Sequence, residues 1–416
     1  MMVSIPPESR ASSRPRWLSF VFVALALVAG TMGATMPSPL YPLYEEAWRL
    51  SPSDITVIYV AYMIGVVATF LFLGRMSSRF GALPVLKAGL AVILVGLALS
   101  AVAASPAMLI LARAVIGVAS GLITSAATLG LVETEPAGPR RMASITASSV
   151  TMAGFGLGPF ATGLVGQFAP APLMTPYGVV FVLALLILAG LLVFVRDTRP
   201  AVPRAGFSLM PRLVLPRRRG LFLVAAFSVF TAYSLFSLIA SLAPSFVTGV
   251  LPWHGPAVSG TLVAAVLFCS ASVQLPARGL DTARGLTIAL GLMALGVLCL
   301  GIAGATGSII AFGLADIVIG MGHGLAFMSG LGFVNRLGQE EGEHAGFLAS
   351  FLTIGYLGTI APILGVGFLA DHVGLPNAIV AYCASAAALC LVLLAACRHF
   401  SRPTGRQAGS NAEAVP

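Results

Sequence analysis

Arg113, Asp316 and His323 lie deep inside long apolar runs of this sequence, where charged side chains are rare. Burying such a group in a membrane is costly, so each one is a candidate for moving protons or ions. Asp316 can bind and release a proton, and a histidine such as His323 titrates near neutral pH. His323 follows Asp316 by seven residues, which places both on one face of a helix. This combination predicts proton coupling within a membrane, with all three residues taking part.

Composition predicts the elements that must position these residues. Of 416 residues, 58% are apolar and 9% are charged, whereas a soluble domain has about 45–50% apolar and about 25% charged residues. This imbalance excludes an ordinary soluble enzyme, a disordered chain and a nucleic-acid-binding protein. Glycine is also abundant, at 46 residues, which is typical of helices that pack closely in a bilayer. We therefore predict an all-α membrane protein surrounded by lipid.

Twelve apolar runs are long enough to cross the hydrocarbon core, which needs about 20 residues per helix. The first run follows basic residues and also fits a signal peptide, but its length favours a helix that is retained. Proline, glycine and serine mark the breaks between the runs. The predicted spans are residues 17–42, 53–75, 84–105, 107–131, 142–168, 174–195, 220–250, 256–277, 284–305, 307–334, 345–370 and 373–397.

The basic residues predict the orientation. If the N-terminus is cytoplasmic, 21 of the 23 Lys and Arg residues fall in cytoplasmic loops and tails or at the cytoplasmic ends of the spans, and only Arg49 falls outside. This bias predicts that both termini are cytoplasmic and that the chain crosses the cell (inner) membrane many times. The predicted domains are a tail at 1–16, a six-helix bundle at 17–196, a linker at 197–219, a second six-helix bundle at 220–397 and a tail at 398–416.

The two halves are related by an internal repeat with an offset of 203 residues. Because several separate motifs share this one offset, the sequence indicates the duplication of a six-helix unit. Parallel repeats of this kind form secondary transporters with a substrate site near the midplane, between the halves. We therefore predict twelve transmembrane helices, arranged as two six-helix pseudo-symmetric bundles around a central cavity. The matching positions are Val115-Ile116-Gly117 with Val318-Ile319-Gly320, Gly121-Leu122 with Gly324-Leu325, Pro159 with Pro362, and Arg75 with Arg278.

The loop between the second and third spans resembles a motif of the major facilitator superfamily, G-x-x-x-D-R-x-G-R-R. Gly74, Arg79 and Gly81 match it, whereas Ser78 replaces the acid and apolar residues replace the final basic pair. In the family this loop forms a cytoplasmic latch, in which the acid pairs with an arginine and a helix end. Asp281 lies 203 residues after Ser78, so the resemblance implies that the latch is lost here or depends on Asp281.

Two further motifs extend the resemblance over residues 17–397. Span four is similar to the family pattern R-x-x-x-G-x-x-x-G through Arg113, Gly117 and Gly121. Span five is similar to the G-x-x-x-G-P motif of the family's antiporters. The glycines of span five leave a groove for another helix, and its proline permits a bend. The resemblance is greatest to twelve-span drug and metabolite exporters, and the residues of the antiporter motif are Gly154, Gly158 and Pro159, with Pro362 at the repeat position.

In the family, spans one, four, seven and ten line the cavity, which implies that Arg113 and Asp316 lie on facing helices at similar depth. One hypothesis is that they approach each other when the cavity closes to the outside, and that a proton on Asp316 breaks their attraction. The other is that each charge is satisfied within its own half, Arg113 by backbone carbonyls of span one. His323 either relays protons or binds substrate, or it is a packed histidine bonded to a carbonyl.

Aromatic residues are the candidate substrate-binding residues. Phe227, Phe230, Tyr233 and Phe236 recur every three residues along span seven, and Tyr356 lies on span eleven. A spacing of three drifts slowly round a helix, so some of them can face the cavity while others pack or face lipid. These residues predict an apolar or weakly charged substrate.

These features predict export of a drug or metabolite by alternating access, in exchange for protons. The alternative is a proton-coupled importer of a neutral sugar or metabolite, and a third possibility is a scaffold or sensor on a transporter fold. No hydrolase, phosphate-loop or metal-spaced motif is present in the sequence. We therefore predict no enzymatic activity, no cofactor, no metal and no nucleic-acid partner, and we expect a monomer.

Overall fold

The fold is given by a computed structural model, which describes residues 16–73, 76–136, 142–195, 214–217, 219–250 and 255–400. The N-terminal tail up to residue 15, the C-terminal tail from residue 401, and most of the predicted linker at 197–219 lie outside these residues. The predicted domain boundaries therefore stay predictions.

Twelve helices of 17 or more residues follow one another along the described chain. They correspond in order to the twelve predicted spans. They are α1 (Arg16–Thr35), α2 (Pro52–Ala68), α3 (Ala82–Ala101), α4 (Pro106–Thr134), α5 (Met142–Phe168), α6 (Thr175–Phe194), α7 (Arg219–Ser241), α8 (Pro256–Gln274), α9 (Thr282–Thr306), α10 (Ile309–Glu341), α11 (His344–Val373) and α12 (Leu375–Phe400).

Within the described residues, 11 helices are long and apolar enough to cross a membrane. The helix outside this set is α5, which is rich in Gly, Ser and Thr. Because these residues lower its hydropathy, composition alone does not assign α5 to the membrane. The multi-pass membrane fold is confirmed, and the count of twelve spans rests on α5.

Two predicted spans have different boundaries from those expected. The first span does not run unbroken to residue 42, because α1 ends at Thr35 and is followed by a short 3₁₀ turn and a helix at Tyr41–Trp48. The seventh span is broken after Ser241, and a second helix covers Ala243–Val250. Prolines cause both interruptions, since they lack the N–H that continues a helical hydrogen-bond ladder. The apolar sequence marked these spans correctly but did not locate their breaks.

The helices pack in two matching sets. In the first half, α4 packs against α1, α2 and α3, and in the second half α10 packs in the same way against α7, α8 and α9. The halves meet through two further equivalent pairs, α5 with α8 and α2 with α11. The predicted pseudo-symmetric arrangement is therefore present in the packing.

Glycines on the equivalent helices α3 and α9 make matching contacts with α4 and α10. A Cβ atom on Gly96 of α3 would lie 3.1 Å from the backbone nitrogen of Ile116 on α4. A Cβ atom on Gly296 of α9 would lie 3.1 Å from the nitrogen of Ile319 on α10. Ile116 and Ile319 are separated by the repeat offset, so both halves use glycine to bring equivalent helices into backbone contact.

Candidate functional site

Arg113 is fully buried and is held by the backbone of its own half. Its Nη1 atom donates hydrogen bonds to the carbonyl oxygens of Ala34, at 3.1 Å, and Gly33, at 3.5 Å, near the end of α1. The guanidinium also lies over the ring of Tyr62, 4.7 Å from its centroid. This is the second of the two arrangements that the sequence allowed, with Arg113 satisfied by carbonyls of the first span.

A group of buried tyrosines accompanies this arginine, and the sequence analysis did not identify it. All five are buried within the electrostatic reach of the Arg113 charge, and Tyr62 contacts its guanidinium through the ring. Four are on or next to the first two helices, and the fifth is at the start of α6. They are Tyr41, Tyr44, Tyr59, Tyr62 and Tyr177.

The stacking of Arg113 on Tyr62 gives the first prediction. Arg113→Lys keeps the charge but loses the planar group, and a desolvated cation–π contact is worth about 2 kcal/mol. We expect Arg113→Lys and Tyr62→Leu each to lower the melting temperature in detergent, and the double variant to lower it by less than the sum. Arg113→Lys combined with Tyr382→Leu, a tyrosine of the other half, should be additive. If the decreases in melting temperature of Arg113→Lys and Tyr62→Leu add up in the double variant, these two residues do not make a stabilising contact.

Asp316 is on α10 and is 3% exposed. Its Oδ1 atom has no hydrogen-bond partner among the described residues, and Cys269 of α8 lies nearby. The Nε and Nη2 atoms of Arg113 likewise have no hydrogen-bond partner in the described chain. The pair expected between Arg113 and Asp316 is therefore not formed in this conformation, because α1 holds the arginine.

His323 is buried on the same helix as Asp316. Its Nδ1 atom lies 2.9 Å from the hydroxyl oxygen of Ser270 on α8. Its ring stacks on Tyr233 at 5.6 Å between centroids and contacts Phe236 at 5.8 Å. The hydrogen-bond partner is thus a hydroxyl rather than the carbonyl considered from the sequence, and a hydroxyl can both donate and accept a hydrogen bond.

The rings around His323 form an aromatic cluster, which consists of Phe70, Tyr233, Phe236, His323, Phe327 and Tyr356. Tyr233 is its centre and lies 5.5 Å from Tyr356 and 6.1 Å from Phe327. Tyr356 in turn lies 5.9 Å from Phe70, which belongs to the first half of the chain. The cluster therefore joins the two halves and offers ring faces and edges to an apolar or aromatic molecule.

Three of the five aromatic candidates belong to this cluster, and two do not. Phe227 and Phe230 contact each other at 5.6 Å between centroids, and Phe227 is 37% exposed. Phe230 lines a separate pocket between α7, α11 and α12. The spacing of three on α7 therefore divides these aromatics between two surfaces.

Phe70 was missed because it lies where the second span changes its geometry. After Ala68 the helix continues as a π-helical turn at Thr69–Leu73. The Thr69 hydroxyl donates to the carbonyl of Gly65 at 2.9 Å within this region. π-Helical turns redirect side chains and are frequent at functional sites, but the sequence carries no reliable signal for them.

The two halves are joined by a pair of equivalent helix caps at one end of the molecule. The backbone N–H of Ser53, in the first turn of α2, donates to Oδ1 of Asp371 on α11 at 3.2 Å. The N–H of Ala257, in the first turn of α8, donates to Oε1 of Gln167 on α5 at 3.5 Å. Each donor and acceptor is shifted by 204 residues from its counterpart. We call this end, defined by Ser53, Gln167, Ala257 and Asp371, the closed end.

The difference between the two caps gives a second prediction. A carboxylate at a helix N-terminus stabilises by about 0.3–1 kcal/mol, and an amide lacks this charge effect. We expect Asp371→Asn to increase, and Gln167→Glu to decrease, labelling of Thr56→Cys by a membrane-impermeant maleimide. Thr56 is fully buried near this end, and the changes should be up to about fivefold. If both variants change the labelling of Thr56→Cys in the same direction, the charge of the capping carboxylate does not control access at this end.

The antiporter-like motif on α5 makes close contacts on two sides. A Cβ atom on Gly158 would lie 2.7 Å from the carbonyl oxygen of Met32, and one on Gly154 would lie 2.8 Å from that of Val28. Both glycines therefore admit α1. On the other side, Gly260 of α8 lies against the carbonyl of Pro159. The predicted groove for a neighbouring helix is present, and it serves two helices.

The remaining motif residues have local roles. Gly81 precedes α3 with a φ of +93°, a conformation that favours glycine. The Arg79 guanidinium lies 5.3 Å from the ring centroid of Phe80. Gly74 lies outside the described residues. Asp281 caps its own helix by accepting from the N–H of Ala283 at 3.1 Å. Gly117 packs on the backbone of Tyr62, and Gly121 packs on Thr69. Pro362 lies inside α11.

The family model of the Major Facilitator Superfamily matches residues 23–359. The multidrug efflux protein YfmO of Bacillus subtilis (strain 168) is 27% identical over 219 residues, which cover 52% of this chain and 54% of that protein. The multidrug efflux pump LfrA of Mycolicibacterium smegmatis is 31% identical over 191 residues, covering 45% of this chain and 36% of the pump. The chain thus spans about half or less of the length of these relatives.

Solved structures share the fold at low identity. A POT family transporter in complex with 5-aminolevulinic acid has a TM-score of 0.74 at 12% identity, covering 95% of this chain and 99% of that one. A bacterial homologue of the human lysosomal transporter Spinster, in an inward-facing and unoccupied conformation, has a TM-score of 0.72 at 13% identity, covering 94% and 98%. At these identities the likeness concerns the fold alone.

Proposed function

The chain belongs to the Major Facilitator Superfamily, and from this membership we propose that it exports a small apolar or weakly charged molecule, a drug or metabolite, in exchange for protons. The observation that carries the proposal is the buried carboxyl group of Asp316, whose Oδ1 atom has no hydrogen-bond partner among the described residues. Asp316 lies on the same helix as His323, which belongs to the aromatic cluster. Proton site and substrate site then share one helix, α10.

The direction of transport is supported by the relatives and by the span-five motif. Both curated relatives are named as multidrug efflux proteins. The glycines and proline of the antiporter-like motif lie where α5 packs against α1 and α8. A helix that contacts both its own half and the other half is suited to couple their movement in alternating access.

The substrate class is supported by the chemistry of the aromatic cluster. Its members offer rings, two phenol hydroxyls and one imidazole, and Tyr233, Phe236 and Tyr356 are partly exposed. Such a surface binds apolar and aromatic molecules by ring contacts and fixes them by a few hydrogen bonds. A phosphorylated or strongly anionic substrate would find no matching cation among the members of this cluster.

Proton coupling is proposed to use Asp316, with His323 and Arg113 in supporting roles. The Asp316 carboxyl can hold a proton without losing any hydrogen bond at Oδ1, since none is made there within the described residues. An ionised carboxylate at this depth requires a partner or water. We infer that opening of the closed end, which we assign to the cell exterior, exposes Asp316 to the more acidic side.

The test uses everted membrane vesicles with an acidified lumen and a fluorescent pH probe, to which a panel of drugs and metabolites is added. Proton release from the lumen that depends on one compound identifies that compound as a substrate for antiport. Compound movement without proton release would overturn antiport. Compound-dependent acidification in right-side-out vesicles would instead favour the proton-coupled importer of a neutral sugar or metabolite.

A further inference from the structure

We propose that the pocket between α7, α11 and α12 is a second binding site, which takes a neutral lipophilic molecule bearing one hydrogen-bond acceptor, such as an aryl ketone. The pocket has a volume of about 330 Å³, which is within the usual range for small-molecule sites. It is distinct from the aromatic cluster, although both use α7, because Phe230 and Ser234 line the pocket whereas Tyr233 and Phe236 join the cluster.

The walls of the pocket combine a buried polar floor with an exposed apolar rim. Thr231, Ser234 and Tyr382 are buried, whereas Leu369 and Ala381 are exposed at the surface of the helical bundle. In a membrane-spanning fold, an exposed apolar rim on α11 and α12 contacts lipid chains. A ligand therefore reaches the floor from the bilayer.

The depth of the pocket restricts the ligand to neutral molecules. Ser234 lies seven residues before the end of α7, and Tyr382 lies seven residues after the start of α12. At about 1.5 Å per residue, both are about 10 Å from the helix ends. Because the hydrocarbon core is about 30 Å thick, the polar floor lies below the headgroups, where a charged ligand is strongly disfavoured.

The hydroxyl groups of the floor leave one proton without an acceptor. Ser385 donates to the carbonyl of Tyr382 at 2.7 Å, and Thr231 donates to that of Phe227 at 2.9 Å. The hydroxyls of Ser234 and Tyr382 lie 2.6 Å apart and share a single hydrogen bond. Two hydroxyls carry two protons, so the second proton has no acceptor within the described residues. A ketone, ester or ether oxygen would accept it, and this pairing supplies the specificity.

The experiment uses benzophenone, an apolar aryl ketone that forms covalent adducts with nearby C–H groups on illumination. The full-length protein is reconstituted in liposomes, illuminated with benzophenone, and digested for peptide mass spectrometry. We expect adducts concentrated on pocket residues of α11 and α12, such as Leu369 and Leu389. Adducts spread evenly over lipid-exposed leucines, as at Leu295 or Leu186, would overturn the proposal, since they would show that only lipid chains occupy the pocket.

Matched competitors test the unpaired proton. Fluorenone and fluorene have the same rigid ring system, but only fluorenone carries a carbonyl oxygen. We expect fluorenone to suppress the labelling at concentrations about tenfold lower than fluorene, which is the effect of one hydrogen bond in an apolar site. Equal competition by the two compounds would exclude hydrogen-bonded recognition.

Two variants complete the test. Ser234→Ala with Tyr382→Phe removes both hydroxyls and should abolish the preference for fluorenone. Because this change is buried, Ala381→Trp provides an independent variant on the exposed rim, where a large side chain fills the entrance without disturbing the core. It should reduce pocket labelling by about fivefold or more, while leaving labelling elsewhere unchanged. Undiminished labelling in Ala381→Trp would overturn the site, whatever the double variant does.

Discussion

We expect Asp316→Asn to abolish substrate-dependent proton release, by about a hundredfold or more, while leaving substrate exchange close to its normal rate. Asparagine has the size of aspartic acid and resembles its protonated form, but it cannot release a proton. A transporter that needs Asp316 to cycle between protonated states should then move substrate in both directions without coupling to a gradient. The measurement compares pH-driven uptake in everted vesicles with the exchange of labelled for unlabelled substrate.

The surroundings of Asp316 explain why the Asp316→Asn substitution should have so large an effect on coupling. Asp316 is buried and its Oδ1 has no hydrogen-bond partner among the described residues. The Asp316→Asn substitution brings an amide of similar volume into the same position, so folding should be preserved. The matched control is Asp281→Asn, which changes an exposed acid that caps the start of α9. If Asp281→Asn abolishes coupling and Asp316→Asn does not, the proton site has been assigned to the wrong carboxylate.

The sequence predicted the fold well because its signals are strong and local. A bilayer requires long apolar helices, and each one appears as an uninterrupted run, so the positions of α2 to α4 and α8 to α12 follow from hydropathy. The repeat offset of 203 residues predicted which helices would be equivalent, and the packing of Gly96 and Gly296 on matching isoleucines agrees with it. Helix breaks were less predictable, because an apolar run does not show which proline ends the hydrogen-bond ladder.

The site was predicted only in part, because its contacts are between distant residues. Buried charge indicated Arg113 and Asp316 without showing their partners, and the structure places Arg113 on the carbonyls of Gly33 and Ala34. Aromatic spacing indicated α7 but could not show that Tyr233 faces His323 while Phe230 faces another pocket. Phe70 reaches the cluster through a π-helical turn, which depends on packing around Thr69 rather than on a sequence pattern.

The second large effect is expected from Gly260→Val, which should hold the closed end open and reduce export by about tenfold or more. Gly260 lies on α8 against the backbone of Pro159 and Gly163 on α5, with a built Cβ atom only 3.1 Å from the Cα of Gly163. A valine cannot fit there unless the two helices separate. Overpacking of this kind costs about 1–3 kcal/mol, which shifts a two-state equilibrium by about fivefold to a hundredfold, with tenfold corresponding to about 1.4 kcal/mol.

This cost falls on one conformation alone, and that is why the variant should change transport rather than simply unfold the protein. The contact between α5 and α8 joins the two halves, so the strain is released when the halves separate at the closed end, whereas strain inside one bundle would persist throughout the cycle. Labelling of Thr56→Cys by a membrane-impermeant maleimide should rise about tenfold in Gly260→Val. Gly313→Val is the matched control, because no atom lies within 4 Å of the added Cβ there. If Gly313→Val raises the labelling as much as Gly260→Val does, the effect comes from valine in a membrane helix, and the close approach of α5 and α8 does not control access.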